Sequence, residues 1–193
     1  MTTFNAGKGG AGDVADRDKL VTALIDFSQL AGVAVTATAA EVNRATDVSG
    51  RVVTIVETGA ITEALHEGKT CLLAEVGGNA AVTLTLPAAT GGGARYRFVV
   101  GVVNTSGYTI KSVVGTDLMQ GAVIGDDGAA VTTTLRWQAG ATDDTFTLNG
   151  TTTGGVTIGD WVEFEDILAT GWAVRGVISQ SGTEATPFSD TVT

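Results

Sequence analysis

A chain of 193 residues with 44% hydrophobic content, 27 glycines and 2 prolines has room for one domain, or for one domain with an extension. Its formal net charge of −10, with no lysine–arginine run to offset it, repels phosphate backbones and speaks against nucleic acid as a direct partner. No apolar stretch reaches the ~18 residues that a membrane-spanning helix needs, and the start of the chain lacks the charged-then-apolar pattern of a secretion signal.

Residues 1–15, MTTFNAGKGGAGDVA, are rich in glycine and polar side chains and predict an arm that orders only on a partner. Residues 17–31 change character. Leu20, Leu24, Phe27 and Ala31 recur at helical spacing, widened by Val21 and Ile25, and predict an amphipathic helix capped by Asp16 or Asp18 and stopped at Gly32. Thr38 with Glu41 three residues on forms a capping box for a short helix through about Ala45, and Gly50 closes the segment.

From Arg51 onward strands dominate, because threonine and valine suit a pleated surface and glycine supplies turns. RVVTIVET reads as a strand, and AITEALHEGK as either a helical turn or a strand with a turn. TCLLAEV and AVTLTLP are expected to form a hairpin across Gly77-Gly78-Asn79. In RYRFVVGVV, Tyr96, Phe98 and Val100 share one face and Arg95, Arg97 and Val99 the other. YTIKSVV follows, then AVTTTLRW after an expected turn at Gly125–Gly128, then DTFTLNG, VTIGDWVEFEDI and GWAVRGVIS. Turn signals recur about every 8–12 residues, the spacing of a sandwich or barrel. The expected architecture is mainly β, an antiparallel β-sandwich or jelly-roll-like barrel with an N-terminal arm and one or two short helices. Its parts are residues 1–50 (arm and helical segment), 51–182 (β domain) and 183–193 (a loose polar tail).

Little in the chain can do chemistry. Gly7-x-Gly9-x-x-Gly12 matches a dinucleotide loop by letter but has no strand before it, and Gly68-Lys69-Thr70 lacks the first glycine of a phosphate loop, where Glu63 stands. His66 is the single histidine, without a motif, and reads as a surface or hinge residue. Cys71 is the single cysteine, so no internal disulfide can form. Beside Leu72 and Leu73 it reads as a small buried hydrophobe, and a reducing compartment such as a bacterial cytoplasm follows. The acidic pairs Asp126-Asp127 and Asp143-Asp144 sit in turn contexts. In DWVEFED, Trp161, Glu163 and Glu165 alternate with Val162 and Phe164, one solvated face against one core face, with Trp161 outward or at a contact. No catalytic, cofactor or metal residues are expected, and no enzyme activity. The candidate contact residues are Phe4, Leu20, Leu24, Ile25 and Phe27, whose burial on a partner would contribute about 1.5–3 kcal/mol for each large side chain. One internal echo stands out: TLPAATGG at Thr85–Gly92 and TLNGTTTGG at Thr147–Gly155 are both strand ends followed by a Thr-Gly-Gly turn.

TATAAEVNRATDVSGRVV (Thr36–Val53) resembles a module of tailed-bacteriophage virion proteins, in which a short threonine- and alanine-rich helix precedes a β region. VTLTLPAATGGGARYRFVV (Val82–Val100) resembles the strand–LPAATG–strand element of capsid decoration and head-fibre-like proteins, and ATDDTFTLNGTTTGGVTIGDWVEFEDI with WAVRG resembles the later part of that domain. The resemblance implies a non-enzymatic virion component, a decoration or cement protein on the outside of the capsid, made in the bacterial cytoplasm. Its implied partners are the major capsid protein and copies of itself, as a homotrimer or else a dimer, with no cofactor, nucleic acid or membrane. A head-fibre or tail-associated adhesin that binds host-surface glycan is the alternative.

Overall fold

The computed structural model describes residues 50–126 and 134–192, together with the short strands β1 (Gln29–Leu30) and β2 (Val33–Ala34). The chain divides into two units, Met1–Val48 and Ser49–Thr193. In the first, β1 and β2 pair antiparallel, Gln29 with Ala34 and Leu30 with Val33. The helix expected over 17–31 therefore does not reach its stop at Gly32. The β-branched Val33 favours a pleat over a helix. The rest of that helix and the helix at Thr38–Ala45 lie outside the described residues.

The second unit is mainly β and begins as a coil. β3 (Val52–Ile55), β5 (Thr70–Leu73) and β7 (Arg95–Val100) lie side by side and parallel in one sheet. β4 (Gly59–Ala60), β6 (Val82–Thr85) and β8 (Tyr108–Lys111) do the same in another. The chain thus changes sheet at every strand from β3 to β8. The one helix of this unit among the described residues, α1 (Glu63–His66), lies between β4 and β5, so the helical-turn alternative for AITEALHEGK holds. β5 and β6 belong to different sheets, so the hairpin expected across Gly77-Gly78-Asn79 does not form. Asn79 N–H instead donates to Glu75 Oε2 (2.8 Å), which closes a wider connection between the sheets.

After the coil the chain adds β9 (Leu118–Asp126), β10 (Thr134–Gln138), β11 (Thr145–Leu148), β12 (Trp161–Leu168), β13 (Gly171–Ser179) and β14 (Phe188–Ser189). The seven-stranded sheet runs β10-β9-β13-β12-β7-β5-β3 and the five-stranded sheet β14-β11-β8-β6-β4. Both are mixed: β12 pairs antiparallel with β7 and β13, whereas β13 pairs parallel with β9. The expectation of antiparallel sheets fails because coiling places like-directed strands side by side, which side-chain alternation does not report. Gly125 and Asp126, expected in a turn, are the last residues of β9.

Alternation does fix the faces. Tyr96, Phe98 and Val100 are fully buried, while Arg95 and Arg97 are exposed. On β12, Val162 and Phe164 are buried between the half-exposed Trp161, Glu163 and Glu165. A run of ring contacts crosses the core. Phe98 meets Phe164 edge-on at 5.8 Å, Phe164 meets Phe146 of the other sheet at 6.0 Å, and Phe146 meets Phe188 at 5.2 Å. The C-terminal segment is not loose. Phe188 is buried, β14 pairs with β11, and the Val192 N–H donates to Asp144.

Candidate interaction face

Buried carboxylates hold the loops around the core. In β12, Asp166 accepts from Thr90 N–H (3.0 Å), Thr90 Oγ1 (2.7 Å), Gly91 N–H (2.7 Å) and Gly92 N–H (3.2 Å). Gly91 and Gly92 of TLPAATGGG thus serve one carboxylate while the Gly93 N–H donates to the Asp166 carbonyl (2.8 Å), with Gly91 and Gly93 at φ of 77° and 80°, where a side chain would be strained. Just before β12, Asp160 accepts from Gly155 N–H (3.1 Å), Thr157 N–H (3.4 Å), Ser179 N–H (2.9 Å) and Ser179 Oγ (3.0 Å). The echo between the two Thr-Gly-Gly turns therefore has a physical counterpart, since aspartates at opposite ends of β12 each bind one of them. Asp144 likewise accepts from Thr191 N–H (3.0 Å) and Asp117 from Ala89 N–H (2.9 Å).

Asp144, Asp160 and Asp166 are buried, at 0%, 6% and 3% exposure, and for Asp160 and Asp166 this corrects the expectation that the acidic residues of DWVEFED form a solvated face. Burial pushes the Asp160 carboxyl above the usual range, and its hydrogen bonds from Ser179, Thr157 and Gly155 offset this only in part. Burial pushes Asp166 the same way, but the bonds from Thr90, Gly91 and Gly92 together outweigh it and hold that carboxyl below the usual range. With their oxygens taken up by loop donors, these groups act as anchors. Among the described residues no group of three or more His, Cys, Asp or Glu is placed to hold a metal ion, and no helix is long and apolar enough to cross a membrane.

His66 is buried rather than at the surface, and its Nδ1 accepts the Thr62 N–H (3.0 Å), which closes the α1 turn. Cys71 is fully buried, as its apolar neighbours imply. Burial pushes its thiol up to about 12, against the opposing pull of Lys69. We expect no reaction of native protein with a thiol reagent at neutral pH, and labelling in partial denaturant at the rate of unfolding, followed by mass.

The feature best suited to binding is the outer face of the seven-stranded sheet. Strand register sets Arg136 beside Ile124, Ile124 beside Val177, Val177 beside Trp161, Trp161 beside Val99 and Val99 beside Leu72. At about 4.8 Å between strands, the apolar row from Ile124 to Leu72 spans roughly 19 Å. Ile124 and Val177 are 41% and 47% exposed. The next row alternates in charge, Arg175–Glu163–Arg97. The Arg97 guanidinium lies over the Trp161 ring, 4.3 Å from its centroid. Arg95 donates to Glu165 Oε1 (2.6 Å from Nη2), and Arg175 donates to Glu163 Oε1 (2.9 Å) and to Glu165 Oε2. The Arg95 hydrogen bond, with the charges of Arg95 and Arg175, holds Glu165 below the usual carboxylate range. Such exposed pairs add little stability, but they fix long side chains and so lower the entropy lost when the face is covered.

Alternation identified Trp161, Arg95, Arg97, Glu163 and Glu165 as one-sided, but not the row they join, because register between distant strands is non-local. The three tryptophans do not share a surface. Trp172 is fully buried, Trp137 packs against the core with its indole N–H on Gln180 Oε1 (2.6 Å), and only Trp161 lies on the outer face. Phe4, Leu20, Leu24, Ile25 and Phe27, the contact residues expected from sequence, lie outside the described residues. Compared with known protein families, with curated proteins and with solved structures, the chain matches none.

Proposed function

We propose that the chain is a structural virion protein that binds the outside of a bacteriophage capsid and stabilises the shell, assembling as a homotrimer or else a dimer. Its named partners are the major capsid protein and its own copies, and it needs no cofactor and catalyses no reaction. The class comes from the resemblance of Thr36–Val53 and Val82–Val100 to virion modules. The observation that carries it is the outer face, an apolar row centred on Trp161 and backed by fixed arginines, on a body whose loops are anchored to buried carboxylates. The edge-on packing of Phe146 on Phe164 between sheets favours a two-layer β-sandwich for that body. Expected at the virion surface, the protein should co-sediment with purified shells and raise their melting temperature. Deleting residues 1–31 or substituting Trp161→Ala should cut that binding by about tenfold or more while leaving the fold intact by circular dichroism. Shells that retain no copies would overturn the proposal.

The adhesin alternative draws on Trp161 alone, since the other two tryptophans point inward. Glycan-array binding that disappears in Trp161→Ala would favour it.

A further inference from the structure

We infer that the chain pairs with a second copy of itself along the outer edge of β3, antiparallel and about a two-fold axis centred on Thr54. This rests on the reading of the chain as one that binds its own copies, and it selects the dimer.

Among the described strands, β3 ends the seven-stranded sheet. Thr70 N–H donates to the Arg51 carbonyl and Ala74 N–H to the Ile55 carbonyl (2.8 Å each), so the odd-numbered residues of this stretch face β5. Alternation then turns the N–H and C=O groups of Val52, Thr54 and Val56 away from the sheet, as a template for another strand. Along Val52–Ile55 there is no lysine, proline or charged side chain to blunt that edge. The other edges are less suited: β4 and β14 have two residues each, and β10 centred on its own copy would set Arg136 against itself.

The edge is complementary to its own reverse. Residues 51–57 read Arg-Val-Val-Thr-Ile-Val-Glu. Only the even-numbered residues can exchange backbone hydrogen bonds with an added strand, so the permitted registers differ by steps of two. With Thr54 opposite its counterpart, Val52 stands opposite Val56, Val53 opposite Ile55 and Arg51 opposite Glu57 of the second copy, each contact made twice. The next register on either side sets Arg51 against Ile55 or Gly59 and loses both ion pairs. Val52 and Val56 are 56% and 44% exposed, and Arg51, Thr54 and Glu57 are exposed with them. Among the described residues neither Arg51 nor Glu57 has an ion-pair partner. Lys69, one strand in from Arg51, adds positive charge at the end that receives Glu57.

A two-fold contact closes on itself, so assembly through it stops at two copies. The axis stands perpendicular to the sheet, which leaves both outer faces on one side. Thr54 lies beside Leu72, so the row Trp161–Val99–Leu72–Thr54 continues across the axis into its counterpart. The dimer presents two such faces to a single surface, and paired engagement strengthens binding without a new contact.

Sedimentation velocity of the full-length protein across concentration tests the pairing. Wild type should show a reversible dimer whose dissociation rises with ionic strength. Arg51→Glu and Glu57→Arg should each weaken it by about tenfold or more, and the chain carrying both substitutions should recover it. Both positions are exposed, so melting temperatures should stay near wild type. If a charge variant fails to fold, single cysteines read the register directly, because the native Cys71 is fully buried. Opposed Thr54 Cα atoms would lie about 5.5 Å apart, within disulfide reach, whereas the Val52 positions are offset by about 13 Å along the strands. Under oxidised glutathione, Thr54→Cys should give a covalent dimer by mass and Val52→Cys should not. A wild type that is monomeric at every concentration overturns the inference, as does a double charge variant without recovery or a dimer that crosslinks through Val52 and not Thr54. Shell binding measured in parallel separates the two proposals: a monomer that still decorates shells leaves the function standing, and a dimer that ignores shells leaves this contact standing.

Discussion

Phe164→Ala should cost about 5 kcal/mol, the upper end of what truncating a buried phenylalanine costs, and bring the protein near the limit of the 5–15 kcal/mol typical of folded domains. The ring is fully buried and stands between the sheets, edge-on to Phe98 on one side and to Phe146 on the other. Its loss removes transfer free energy, leaves a cavity lined by residues that belong to two separate ladders, and ends two aromatic contacts worth about 0.5–1.5 kcal/mol each. Phe164→Leu keeps most of the volume and should cost about 1–2 kcal/mol. Phe188→Ala, at the end of the run on a two-residue strand, should cost less than Phe164→Ala. Urea titration checks the order, and equal losses at Phe164 and Phe188 would show that the sheets are not held together through this run.

The alternation that exposes Phe164 as a core residue is legible in the sequence, and so are the strands themselves. RYRFVV and WVEFE read correctly residue by residue because each has one wet and one dry face, and that property is local. Sheet membership is not local. TCLL and VTLT look like two arms of a hairpin, yet they lie in different sheets, since Gly77-Gly78-Asn79 permits a wide crossing as readily as a tight reversal. Buried charge is also invisible in a one-dimensional pattern. Asp160 and Asp166 occupy the core-side parity of β12 and its approach, where a strand pattern expects apolar residues, and the Thr-Gly-Gly echo reads only as two similar turns, not as the carboxylates that bind them. The outer face was half legible: Trp161 and the arginines stood out, whereas Ile124, Val177, Val99 and Leu72 became a row only once five strands were aligned.

Asp166→Ala should destabilise the protein by about 2–4 kcal/mol at neutral pH, because it leaves the Thr90, Gly91 and Gly92 N–H groups without the buried carboxylate that accepts from them, and water reaching this exposed loop compensates only in part. At about 2–4 °C per kcal/mol for a chain of this size, the melting temperature should fall by roughly 10 °C. The two ends of β12 make this specific through pH. The Asp166 carboxyl is held below the ordinary aspartate value of about 3.9, so its ionisation contributes stability that is present above that value and is lost as pH falls through the folded-state value. Asp160 is raised, so its contribution is complete below about 3.9 and is lost as pH climbs through its folded-state value. The corresponding asparagine variants remove each titration. The deficit of Asp166→Asn relative to wild type should therefore widen as pH rises from about 2.5 to 4.5 and then level off, while that of Asp160→Asn should narrow as pH rises above about 4. Denaturant midpoints taken across that range decide the matter, and deficits that run parallel would mean that the two aspartates share one electrostatic environment, which the different balance of burial and loop donors around them argues against.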